Sequence, residues 1–152
     1  MASPLTLIMP VIPGKTFLEI GIALGQYAGK LDAALRGIGT VHYARTLLLD
    51  SSQPNLQPDM SKPSKTYFLA IITEFDGSFD DYIQDFVAQV GEVFDALLQF
   101  VVGGAEITPV ADNVQAFADF IAKNNASQHA PNVSLFQAYS ATVQKIIAAV
   151  GT

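Results

Sequence analysis

The chain has 152 residues, half of them hydrophobic and 14% charged, with no cysteine and a formal net charge of -6. This length fits one domain over residues 1–152, and the missing thiols exclude disulfides and thiolate metal sites, in keeping with a reducing, cytoplasmic setting. Residues 61–152 hold four basic against ten acidic side chains, a balance that repels a phosphate backbone and excludes nucleic acid as a partner.

In chain order, Leu5 to Ile12 reads as a short strand. No basic residue precedes it, so a secretory signal is not expected. Pro13-Gly14 turns the chain into a helix over 15–36, where Phe17, Ile20, Leu24, Tyr27, Leu31 and Leu35 recur at helical spacing and Gly37 and Gly39 stop it. Glu19, Lys30 and Asp32 interrupt this longest apolar run, so it is not expected to span a membrane. Gly21, Gly25 and Gly29 form a second stripe, expected to let the helix sit close on a sheet or another helix. Val41 to Asp50 and Lys65 to Phe75 are β-rich runs, joined by a proline-rich stretch expected to be a long mobile hairpin loop.

The alternation within these two runs is informative. Tyr67, Leu69, Ile71 and Phe75 oppose Phe68, Ala70 and Ile72, while Val41, Tyr43, Leu47 and Leu49 oppose Ala44 and Leu48. Both sheet faces are therefore apolar, and both require a cover. Ser78 then caps a helix, with Asp81 three residues on and Tyr82, Phe86, Val90, Val93, Phe94, Leu97 and Val101 on its apolar side. Gly91 predicts a break in it, and Gly103-Gly104 end it. A third helix is expected over Asp112–Lys123, a last strand over Asn132–Tyr139, and a last helix capped by Ser140, closed by Gly151, with Val143, Ile146, Ile147 and Val150 inward.

The order βαββα(α)βα predicts an α+β, ferredoxin-like split βαβ domain with a four-stranded antiparallel sheet and extra helices. Helices would cover one sheet face, and the same face of a second copy would cover the other, giving a homodimeric α+β barrel. The stretches LTLIMPVIPGK, GTVHYARTLLLD and TEFDGSFDDYIQDF resemble a group of small, largely uncharacterised bacterial proteins of the dimeric α+β barrel class. The resemblance covers roughly the first two-thirds of the chain. It implies the barrel fold, and with it the activities that barrels of this class serve, among them monooxygenases, haem-degrading enzymes, peroxidases and binding proteins.

Candidate site residues follow from the polar positions. His42 and Arg45 lie three apart on a strand and project to opposite faces in regular geometry. Arg45 is expected to pair with Glu74 or Asp76, since a buried guanidinium needs a partner, and His42 to be a hydrogen-bonded core or interface imidazole. His129 falls in a polar loop and is expected to be solvated. The acids of EFDGSFDD lack EF-hand spacing and suit a helix N-terminus. No metal site is expected, and no nucleophile elbow, phosphate loop or dinucleotide fingerprint occurs. The candidate ligand-binding residues are His42, Tyr43, Arg45, Tyr67, Phe68, Glu74 and Phe75. The favoured reading is a non-catalytic homodimer with no cofactor, whose cavity, lined by residues such as Tyr43, Tyr67, Phe68 and Phe75, holds a small apolar or aromatic molecule. The alternative is a haem-dependent or cofactor-free oxidoreductase, monooxygenase- or peroxidase-like, in which His42 or Arg45 handles an aromatic substrate or a haem propionate.

Overall fold

The first two β-rich runs both become strands of one open sheet, and the predicted fourth strand does not. A computed structural model describes residues 2–151. In it β1 (Ala2–Pro10), β2 (Val41–Asp50) and β3 (Tyr67–Asp76) form an antiparallel sheet in the order β1-β3-β2. The two strands that flank the first helix thus lie on either side of β3. Four helices accompany the sheet: α1 (Phe17–Ile38), α2 (Phe79–Leu98), α3 (Val114–Asn124) and α4 (Val143–Val150).

Local chemistry sets the helix boundaries. The Thr16 side chain accepts from the Glu19 N–H while the Glu19 carboxylate accepts from the Thr16 N–H at 2.7 Å, a reciprocal cap that satisfies two otherwise free donors. Gly39, at φ 67, closes α1 in the left-handed region that a side chain disfavours. Ser78 caps α2 as expected, accepting from the Asp81 N–H at 3.1 Å. The break in α2 falls at Val90, φ -131, beside Gly91. There a Cβ on Gly91 would stand only 3.3 Å from Val110, so the missing side chain admits the segment that follows α2.

One face of the sheet makes the core. Leu5, Leu7 and Met9 of β1 and Tyr67, Leu69, Ile71 and Phe75 of β3 pack against Ile20 of α1, the apolar side of α2, and Phe117 and Ile121 of α3. Phe75 stacks on Tyr82 with ring centroids 4.0 Å apart, and Phe86, Phe94 and Phe117 continue the row. Each such side chain contributes on the order of 1.5–3 kcal/mol by burial. On the opposite face Ile8, Leu47, Leu49, Phe68 and Ile72 belong to none of this core, and Ile8 is 39% exposed.

Several expectations are corrected. Residues 132–139 join no ladder. The outer edge of β1, where another strand could pair, is occupied by the turn at 125–128. There the Asn125 Oδ1 accepts from the Thr6 N–H at 2.9 Å and the Ser127 hydroxyl donates to the Pro4 carbonyl at 2.8 Å. α4 is capped by Thr142 rather than Ser140, and of its apolar residues Ile147 and Val150 are exposed. The glycine stripe of α1 approaches nothing: a Cβ at Gly21, Gly25 or Gly29 would meet no atom within 4 Å. The loop after β2 has no regular structure, but it is tied at its root. The buried Asp50 Oδ1 accepts from the Ser52 N–H and from the hydroxyls of Ser52, Ser64 and Thr66.

Candidate functional site

Two neighbouring strands and the C-terminal segment converge on one end of the open sheet face. Along most of the hairpin β2 and β3 pair without a slip, from Ala44 opposite Thr73 to Asp50 opposite Tyr67. At the start of β2 the register shifts, with Val41 opposite Phe75 and Tyr43 opposite Glu74. His42 is the additional residue of a β-bulge, which re-aims side chains that a regular strand would send to alternate faces. The bulge brings His42 and Tyr43 together with Glu74 in a cleft of about 260 Å³, completed by Ala2 and by residues 135–139.

The His42 ring is almost wholly buried, and its Nε2 lies 3.1 Å from the Asp76 Oδ1. The second oxygen of Asp76 accepts from the Val143 N–H at 2.8 Å and so fixes the first turn of α4. Burial of Asp76 acts against its charge, but the Val143 N–H and the His42 ring outweigh that effect and hold the carboxyl below its ordinary value. Across the cleft the Tyr43 and Tyr139 hydroxyls share a hydrogen bond of 3.0 Å, which pins the C-terminal segment over the bulge. Phe136, 91% exposed, and Leu135 complete the apolar wall.

Glu74 differs from Asp76: its Oε2 is shut from solvent and, among the described residues, accepts no hydrogen bond. Burial pushes this carboxyl above the ordinary range, and the charge of His42 offsets only part of that shift. A carboxyl in this position costs free energy at neutral pH unless something donates to it.

No family model, no curated protein and no solved structure matches this chain. The structure bears out the α+β class, with three strands in its open antiparallel sheet and not the expected four.

The seven candidate residues are dispersed. His42, Tyr43 and Glu74 line the cleft. Tyr67 and Phe75 are buried in the core on the helix-covered face, whereas Phe68 is half-buried outside that core. Tyr43, Tyr67, Phe68 and Phe75 therefore share no single cavity. Arg45 stands opposite Ile72, exposed, and among the described residues it pairs with neither Glu74 nor Asp76; His42 takes Asp76 instead. His129 is exposed, as expected. Among the described residues no helix is long and apolar enough to cross a membrane, and no three His, Asp or Glu side chains gather as a metal site.

Sequence reasoning missed Asp76 as the histidine partner and Tyr139 as the second wall. The spacing gives no signal for the first, because His42 is itself the extra residue of the bulge, its ring buried against Asp76 while Arg45 stands exposed.

Proposed function

We propose that the protein is a homodimeric α+β barrel of the ferredoxin-like class that binds a small apolar or aromatic molecule in this cleft and does not transform it. The observation that supports it most is the buried Glu74 Oε2, without a hydrogen bond among the described residues, within walls of Tyr43, Phe136 and Tyr139. A binding site of this kind combines apolar contact with one polar group that orients the ligand. The polar inventory for catalysis is thin by comparison. The Nε2 of His42 is taken up by Asp76, and the other hydroxyls in the cleft, those of Tyr43 and Tyr139, hold each other.

The homodimer is supported by the apolar open face and by the apolar side chains that the C-terminal segment leaves exposed, Val133, Leu135 and Phe136 among them. Apolar side chains left in water beside a half-buried apolar sheet face suit an interaction site. A second copy over the open face would also roof the cleft, which lies at its rim.

The enzymatic alternative draws on the carboxylate–histidine pair, an arrangement that orients a general base. A haem version suits the residues poorly. The Nε2 that would meet iron faces Asp76, and Arg45, the group that would take a propionate, is not among the residues of the cleft.

Thermal shift against a panel of small aromatic compounds tests the binding reading. Stabilisation of the wild type by at least one compound, lost in Tyr43→Ala, is expected. A panel that leaves the wild type unmoved, or turnover of a bound compound, would overturn it.

A further inference from the structure

We propose that the ligand of this cleft is a small aromatic amine bound as its ammonium ion, held by Glu74 and the surrounding rings. The inference rests on the binding reading above and narrows it to one chemical class.

Charge is the first argument. Among the described residues no lysine or arginine lines the cleft, whereas Glu74 lines it and Asp76 stands directly behind His42. An anionic ligand would meet a carboxylate with no lysine or arginine beside it among the described residues, and would do so on a chain of net charge -6. The second argument is the missing hydrogen bond. A neutral hydrocarbon would exclude the remaining water from Glu74 and leave the carboxyl still without a donor, at a cost that cancels much of the apolar gain. An ammonium group supplies three donors and the compensating charge. The terminal torsion of a glutamate is broad, so Glu74 can turn either oxygen to that donor.

The walls are the third argument. The rings of Tyr43 and Tyr139 both lie 6.4 Å from the His42 ring and are joined through their hydroxyls, which fixes two aromatic faces at the cleft, with Phe136 beside them. Aromatic faces attract a cation and also stack on an aromatic ring. Asp76 does not compete for the ammonium, because it is buried behind His42 and does not line the cleft.

Isothermal titration of the full chain with 2-phenylethylamine, 2-phenylethanol and 3-phenylpropionate separates the possibilities. These probes share a ring and differ in charge. The amine is expected to bind at least tenfold more tightly than the alcohol, with no detectable binding of the carboxylate. Glu74→Gln is expected to remove the amine's advantage over the alcohol. An alcohol or carboxylate that binds as well as the amine overturns the amine assignment and leaves a binding cleft standing. Failure of all three probes to bind overturns the cleft reading as well. The comparison within the wild type decides the matter even if Glu74→Gln fails to fold.

Discussion

Asp50 and Glu74 are both carboxyls on one hairpin, and their surroundings drive them in opposite directions. Burial acts against the charge of Asp50, yet the Ser52 N–H and the hydroxyls of Ser52, Thr66 and Ser64 prevail and lower it from 3.8 to about 2. A folded value below the unfolded one stabilises the protein above pH 3.8, and the contribution fades as pH falls towards 2. Asp50→Ala should cost roughly 2–4 kcal/mol in chemical denaturation, since it strands several hydroxyls at the loop root. For Glu74 the sign reverses. Its raised value makes its contribution fullest in acid, below 4.5, and lost as pH rises. Glu74→Gln should therefore raise the melting temperature at pH 7 while it weakens the site, the trade expected of a group kept for function. An unchanged or lower melting temperature would show that Glu74 is already satisfied. The sequence disclosed that His42 and Glu74 are polar residues on apolar strands, but not that they meet. Their meeting depends on a one-residue bulge, and hydrophobic alternation is too coarse to register a single extra residue beside Thr40 and Val41.

Elements whose start and stop are chemical were legible; those defined by a distant partner were not. Ser78 and Gly39 mark helix ends through interactions within a few residues, and the structure keeps both. Residues 132–139 alternate like a strand, but alternation records only which side is apolar, not whether an edge is free. Asn125, more than a hundred residues from Thr6 in the chain, takes that edge with its side chain. Asn125→Ala should thus expose the Thr6 amide and speed its hydrogen exchange, at a cost of about 1–2 kcal/mol. Thr16→Ala, which removes the cap of α1, should cost about 1 kcal/mol in thermal or chemical unfolding. α4 has no buried residue and is fastened at its start by the Val143 N–H to Asp76. In Asp76→Ala, limited trypsin digestion should cut at Lys145 several-fold faster than in the wild type. Equal acceleration at Lys30 and Lys123 would mean general unfolding instead of release of this helix. The same fastening should persist above pH 3.8 and loosen as pH falls through the lowered value of Asp76.

At the scale of the whole molecule, the composition already held the main tension, a chain half hydrophobic with few charges. The helices resolve it on one sheet face only. The other face presents Ile8, Leu47, Leu49, Phe68 and Ile72 outside the core, and the C-terminal segment adds exposed apolar side chains at its rim. Why the two-faced pattern was readable while its cover was not is physical. A strand's own side chains reveal that both faces avoid water, whereas the identity of the covering surface lies in no single stretch of sequence. Phe68→Lys tests this face without touching the core. It should leave the chain folded and separate the copies, because an unpaired ammonium in the middle of an apolar interface is strongly unfavourable. The most direct measurement is the native mass of the purified protein at micromolar concentration. A mass of twice 16.2 kDa is predicted, shifting to a single chain in Phe68→Lys; a wild-type mass of one chain would contradict the covered second face and the barrel built on it.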